Sequence, residues 1–551
     1  MRALPARPDI GHLKKQAKAL LRLYRNGDPA AINRFATSLP AASKKSPDEI
    51  LALRLRLHDA QSCLAREYGF PSWGDLAVHV AAAAFGREQE GDPMRSWLAL
   101  VYGGDVTGSY NTPKAHVAVH LWNAHPDRLS GELAVACATG DVELIAEAVA
   151  VSSEWINQPL GPFKLPPLVA VTHSRLAALP NFQPRLRAAV QRLLQAGADP
   201  NQRIFNRFPP ASLDAPDETV PLSALYGAAG VNRDPVLTQM LLDAGADPND
   251  GESLYHSLER PDCTLVLLRH GARIDGTNAL RRALDMKEAT ALELLLAHGA
   301  DPNEAPGQGP TKTWGAPLLR AIAIRCSTRH IEALLAAGAD PRACTADGVS
   351  AYRLALRVGL VDVADLLKAA GAAETLSPKD EFIAACSRGD LTAALQLQQR
   401  HPELPAALAE SELRLLPDAA AWGATEAVMT MVQCGWPLSA KGGDWNATAL
   451  NHALIRGDAN LTRFLLTHGA NWRDEHGFGS DALGTLSWAS VNEPADTIAE
   501  PDWAACAGAL VQSGLPTAVP DSDSPECLII DGRSLRFSEE VMEVLLGKGL
   551  A

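Results

Sequence analysis

No CxxC pair occurs in the 551 residues, although nine cysteines are scattered along them: Cys63, Cys137, Cys263, Cys326, Cys344, Cys386, Cys434, Cys506 and Cys527. Without that spacing neither a zinc ribbon nor a thioredoxin-like centre is supported, and the thiols read as reduced core residues. Long apolar runs are missing too. The longest, LAVHVAAAAF (76–85), falls far short of the ~20 residues that span a bilayer. The opening MRALPARPDIGHLKKQAKALL has no apolar h-region, so a soluble cytoplasmic protein with no membrane segment is expected. Aromatics make up only 5% of a chain that is 47% hydrophobic. This aliphatic bias argues against a β-rich architecture and suits helices packed through small contacts. There is no P-loop, no GxSxG elbow and no kinase motif set. GFGSDALG (477–484) lacks the preceding strand and third glycine of a dinucleotide site.

What is present is length, acidity and repetition. A chain of 551 residues exceeds what one compact core supports, which implies several domains or an elongated array. The net charge of −14 is uneven: residues 1–73 hold 13 Lys/Arg against 6 Asp/Glu, or +7, leaving −21 on the remainder. Most of the chain would therefore repel phosphate, and only the first segment could favour it.

The phrases LLQAGADPNQ (193–202), LLDAGADPND (241–250), LLRHGARIDG (267–276), LLAHGADPNE (295–304) and LLAAGADPRA (334–343) repeat one motif. Weaker copies follow at 366–374, 431–440, 465–474, 510–519 and 545–551, and DEFIAACSRGDLTAALQLQQRHPELP (380–405) fills the one doubled gap. Spacing centres near the ~33 residues of one class of solenoid. Paired leucines end a helix, and the glycine lets the chain leave it with positive φ. Asp-Pro starts an extended turn, and Asn favours its geometry. Shorter helices are expected before each phrase, at 220–230, 316–324, 349–356 and 447–458.

The layout resembles an ankyrin-repeat protein. The T-P-L-H-x-A phrase survives loosely, as VPLSAL, APLLRA and TALNHA, while G-A-D-P-N is strong. SGELAVACATGDVELIAEAV (130–149) matches the signature of the first and second helices. The resemblance implies an all-α, ankyrin-repeat α-solenoid of helix-turn-helix units with finger turns. About 11 units are expected over 130–519, a C-terminal capping repeat over 520–551, and a linker or degenerate first unit over 86–129. It also implies a protein partner, bound on a concave face and at the finger turns. The acidity favours a partner with a basic patch. Insertions at 203–219, 305–315 and 491–503 interrupt the pattern. Ile204, Phe205, Phe208 and Trp314 are the insertion residues expected to contact that partner.

Residues 1–85 differ. Leu13, Ala17, Leu20, Leu21 and Tyr24 mark an amphipathic helix whose other face carries Lys14, Lys15, Lys18, Arg22 and Arg25. A second helix is expected over 46–69, opened by Ser46 and Pro47, and a third over 70–84. The layout is similar to an N-terminal extension of some bacterial ankyrin-repeat proteins. Its basic face has three readings: a solvated surface, docking onto the acidic array, or nucleic-acid contact.

Among metal-like patterns, HVAVHLWNAH places His116 and His120 four apart with His125 nearby. Zinc needs three or four ligands, and hydrolysis a general base besides, and neither is supplied locally. Structural histidines are therefore expected, with no cofactor and no metal. The stretch LLDAGADPNDGESLYHSLE (241–259) fails as a calcium loop, because Gly251 falls one residue early and Leu258 stands at the twelfth position. Aligning Ser253 and His256 with the threonine and histidine of T-P-L-H-x-A leaves Asp250, Glu252 and Tyr255 unclaimed by the fold, hence candidate partner contacts. The expected function is a non-catalytic protein-interaction scaffold. A nucleic-acid-linked regulator acting through the basic segment and a metal-dependent enzyme built on His116 and His120 are the alternatives. Nothing in the sequence sets an oligomeric state.

Overall fold

The computed structural model describes every residue except 1, 2, 6, 86–91, 125–128, 130, 305–314, 493, 495, 496, 523, 525 and 548–551. His125, Trp314 and nearly all of the 305–315 insertion thus lie outside the described residues. The chain divides into two compact units, Met1–Arg282 and Ala283–Ala551. No helix among the described residues is long and apolar enough to cross a membrane.

The first unit begins with a small helical bundle. Leu13, Ala17, Leu20, Leu21 and Tyr24 of the helix Ile10–Arg25 are buried, as its 3–4 spacing requires. Asp28 then caps the helix Pro29–Ser38, which sequence reading passed over. The helix expected over 46–69 is two, Pro47–Ala52 and Leu57–Glu67. Ser46 and Glu49 form a reciprocal capping box on the first. The break comes where Arg54 takes a positive φ of 47°. Tyr24 fills it: its hydroxyl donates to the Ile50 carbonyl at 2.7 Å and accepts from the Leu55 amide at 3.4 Å. The helix Trp73–Phe85 follows.

Helix pairs then repeat. In the first unit the leading helices are Leu133–Thr139, Pro167–Thr172, Ala224–Tyr226 and Ser253–Ser257. The trailing helices are Val142–Val151, Gln183–Gln195, Pro235–Asp243 and Pro261–Arg269. Leading helices pack on leading and trailing on trailing, making two layers. Leu193, Leu241 and Leu267, from the repeated phrase, are fully buried between them. Each such burial contributes roughly 1.5–3 kcal/mol. In the second unit, pairs run from Pro317–Ala323 with Thr328–Ala336 to Ala482–Asn492 with Trp503–Gln512.

Two hydrogen-bond systems tie successive pairs together. At the tight turns, a side chain of one pair donates to a final carbonyl of the leading helix before it, satisfying an acceptor the helix cannot satisfy itself. Ser174 to Ala138 (2.6 Å) and Asn232 to Thr172 (2.6 Å) do this in the first unit. Ser387 to Arg357 (2.6 Å) and Arg456 to Ala421 (3.0 Å) do it in the second. At the long turns the asparagine of the repeated phrase reaches the next turn. Asn303 Nδ2 donates to the Gly338 carbonyl at 2.9 Å, and its Oδ1 accepts from the Asp340 amide at 2.8 Å. The aspartate of the phrase acts locally. Asp301 Oδ1 accepts from the Asn303 amide at 2.8 Å and so closes the turn.

Two small sheets depart from the helical expectation. The 203–219 insertion belongs to an antiparallel hairpin, Arg203–Asn206 against Asp217–Ser223. Near the C-terminus, Val519–Pro520, Cys527–Ile530 and Arg533–Arg536 form a three-stranded meander before the helix Glu539–Leu545. Leu528, Ile530, Phe537 and Val541 share one buried cluster with the helices of the second unit.

Candidate functional site

On the leading-helix layer of the first unit, rings from consecutive pairs form a ladder. His173 meets Tyr226 at 5.7 Å between centroids, Tyr226 meets His256 at 5.1 Å, and His256 meets Tyr255 at 5.0 Å. All three contacts are edge-to-face, the arrangement that ring quadrupoles favour. The Arg282 guanidinium lies 5.8 Å from the Tyr255 centroid and extends the row. A wide turn over Gly227–Val231 makes room for it. A Cβ on Gly227 would come within 2.5 Å of His173 Nδ1 and Thr172 Oγ1, so only glycine fits this approach.

The ladder is uncharged at its buried end. His173 donates from Nδ1 to the Val169 carbonyl (3.2 Å), and burial pulls its pKa down to about 4 against the opposing charge of Asp105. Burial likewise pushes the Tyr226 phenol up, helped by Asp105 and Glu252. Both rings are therefore neutral near pH 7, leaving ring edges and the carboxylate of Glu252 as the features on offer.

The candidate residues fall into two groups. Asp250, Glu252 and Tyr255 come together beside the ladder. Asp250 is claimed by the fold, contrary to the sequence reading. Its carboxylate accepts from the amides of Glu252 (3.1 Å) and Ser253 (2.9 Å), from Ser253 Oγ (2.6 Å) and from Ser223 Oγ. Ser223 in turn caps Tyr226 at 2.8 Å, so Asp250 joins two neighbouring helix starts. The repeat alignment also shifts by one residue. Glu252 is the N-cap and Leu254 is buried, which puts Tyr255, rather than His256, at the histidine place of the repeat. His256 Nε2 pairs with Glu252 Oε2 at 3.1 Å. Tyr255 and Glu252 remain half-exposed.

Phe205 and Phe208 sit apart, on the hairpin. Phe205 lies opposite Pro221 with the Arg203 guanidinium 5.8 Å from its ring. Phe208 is 45% exposed and meets the exposed Tyr110 at 5.4 Å. Ile204 is buried and is removed as a contact residue. Between them Arg207 pins the hairpin down. Its amide donates to Asp105 O at 2.8 Å, and Nη1 donates to Val106 O (3.1 Å) and Phe163 O (2.6 Å).

His116 and His120 are exposed on the helix Ala115–Ala124. Among the described residues no three His, Cys, Asp or Glu side chains converge as metal ligands do. In the second unit an ionic cluster gathers around Arg357 on the leading helix Ala351–Arg357. Arg357 bridges Asp380 at 2.7 Å and Glu412 at 3.2 Å, so those acids are already neutralised.

Sequence reading missed Tyr226, His173 and Arg282 as ladder members, because their pairing spans about three helix pairs. The one local signal was a tyrosine recurring at the same repeat place, in SALYGAAG and GESLYHSL.

No family model and no curated protein matches the chain. Solved structures similar to it include the ankyrin repeat domain of human ASB11, at 20% identity over 43% of this chain and 98% of that one, with a TM-score of 0.21. Another is the ankyrin repeat domain of Bcl-3, a unique member of the IkappaB protein family, at 21% identity over 49% and 99%, with a TM-score of 0.23. The repeated G-A-D-P-N phrase, the two-layered helix pairs and the bridges between successive turns together give the chain an all-α solenoid fold of the ankyrin-repeat kind.

Proposed function

We propose that the chain is a protein-interaction scaffold whose partner presents a basic patch to the leading-helix face and long turns of the first unit. The ring ladder supports this reading. Tyr226, Tyr255 and His256 are held in fixed mutual geometry yet half-exposed, and rigid aromatic surface binds at low entropic cost. Glu252 supplies the anionic edge. Quantitative affinity capture from native extract, with the wild type and with Tyr255→Ala/Glu252→Gln, tests it. A partner bound through this face is lost or weakened by about 2 kcal/mol in the variant, as for truncation of an interface anchor. Equal recovery of every captured protein counts against this face.

One further reading has its own support. The helix Ile10–Arg25 contains no acidic residue, and Lys14, Lys15, Lys18, Arg22 and Arg25 are all exposed. If this face contacts nucleic acid, affinity falls steeply with salt. No binding at low salt removes that reading.

A further inference from the structure

Two neighbouring long turns of the second unit, 441–447 and 475–480, are joined at their tips. In the first, Gly442 and Ala447 exchange backbone hydrogen bonds at 2.9 and 2.8 Å. In the second, the His476 amide donates to Ser480 O and the Gly479 amide to His476 O, both at 2.9 Å. The Gly477 amide donates to Trp445 O at 2.9 Å and locks one tip to the other. A Cβ on Gly477 would lie 2.8 Å from that same oxygen, so a larger residue would separate the tips.

This lock gathers aromatic rings in a row from the buried His452 out to the exposed Phe478. Trp445 meets His452 and His476, each at 4.8 Å and near right angles, and His476 meets Phe478 at 6.0 Å. His476 Nδ1 accepts from the Phe478 amide at 3.2 Å, which fixes the base of the exposed ring. Phe478 is 81% exposed, the most exposed aromatic side chain among the described residues. A rigidly based phenylalanine left in water has no role in this unit's core. Asp444 and Glu475 flank the rings, both exposed. Lys441 is a nearby positive charge, also exposed. The exposed Arg414 reaches the same turn, donating from Nη2 to the Gly443 carbonyl at 3.0 Å while Nε pairs with Asp418 at 3.3 Å. Arg473 is drawn away, its guanidinium 4.1 Å from the Trp472 centroid and Nη1 2.5 Å from Asp531.

We infer that these joined tips dock an extended, arginine-bearing peptide segment of a partner, with a guanidinium over Phe478 and Trp445 and its charge met by Asp444 and Glu475. Aromatic faces attract guanidinium groups, and flanking carboxylates add the charge that selects arginine over a neutral residue. This inference deepens the scaffold reading and rests on it, but uses a different surface from the ring ladder.

A fluorescein-labelled arginine–glycine nonapeptide titrated into the full chain by anisotropy tests the inference, with a serine–glycine peptide as control. The arginine peptide is expected to bind and the serine peptide not to. Phe478→Ala and Phe478→Leu should each weaken binding by about threefold to fivefold, the size of one exposed cation–ring contact. Asp444→Asn/Glu475→Gln should weaken it and flatten its salt dependence, whereas Asp362→Asn/Asp365→Asn should leave it unchanged. The exposure of Phe478 means that its variants keep the fold, which circular dichroism checks. Equal affinity for all variants, or full retention by Phe478→Leu, overturns the inference. If the arginine peptide fails to bind while a partner is still captured through Tyr255, the tip assignment falls and the scaffold reading stands. Loss of both overturns both.

Discussion

Asn201 joins its own turn to the next one, 44 residues on: its Nδ2 donates to the Gly245 carbonyl at 3.3 Å and its Oδ1 accepts from the Asp247 amide at 2.8 Å. Asn157 makes the same pair of bonds to Gly197 and Asp199, and Asn303 to Gly338 and Asp340. A side chain that donates and accepts at once is what this geometry needs, and only an amide of this length supplies it. The asparagine of the repeated phrase is thus a bridge between units as well as a turn residue.

Asn303→Ala removes one donor and one acceptor and leaves two backbone groups unpaired. We expect a loss of about 1–3 kcal/mol in denaturant unfolding. Hydrogen exchange should lose protection at the Asp340 amide, while the Asn303 amide, which donates to Asp301, keeps its own.

Gly299 and Gly359 separate two costs. Gly299 has a φ of 92° with open space around an added Cβ, whereas a Cβ on Gly359 would run into Ser387 O. Gly299→Val should cost more than ~1 kcal/mol through backbone strain alone. Gly359→Val should cost clearly more, because the neighbouring helix end must also move. Paired melting curves check the order.

Arg207→Ala should release the hairpin. Losing the bonds to Val106 and Phe163 leaves buried carbonyls unpaired, at a cost of about 2 kcal/mol. Limited proteolysis should then cut within 208–216, while the helix pairs stay resistant.

His452 predicts a pH dependence. Burial holds its pKa down to about 4, against the bond from Nε2 to the Gly442 carbonyl and the charge of Asp444. In the unfolded chain histidine takes its proton near ~6.5, so between pH ~6.5 and ~4 the unfolded state binds more protons. Its contribution is therefore present above pH ~6.5 and lost on acidification, by on the order of 2–3 kcal/mol at pH ~4. His452→Gln, which keeps a donor for Gly442, should flatten stability across that window.

How much of this was legible depended on the range of the interaction. Leu241, Gly245, Asp247 and Pro248 act within a few residues of themselves, so their spacing revealed helix ends and turns. Asn201 acts across 44 residues, and from sequence it showed only its turn preference. The 203–223 hairpin was hidden because its run is rich in Pro and Asp, and the bonds by which Arg207 anchors it reach Phe163 and Val106, 44 and 101 residues away. The split of 46–69 needed Tyr24, from another helix, to satisfy the break. At the candidate site Glu252 and Tyr255 could be singled out from the sequence because the alignment used there left both outside the repeat phrase, and their part in partner binding is a proposal. Asp250 was misread although three of its four bonds are local, to Glu252 and Ser253, and only the one to Ser223, 27 residues away, lay beyond the reach of local patterning.

The scaffold reading is tested most directly by placing a photocrosslinking amino acid at Tyr255 and, as a control, at Val236. Val236 is exposed on the trailing helix Pro235–Asp243 of the same unit. In native extract the account predicts a discrete crosslinked protein from position 255 and none from 236, with the yield falling as salt rises. Equal crosslinking from both positions, or none from 255, would contradict it.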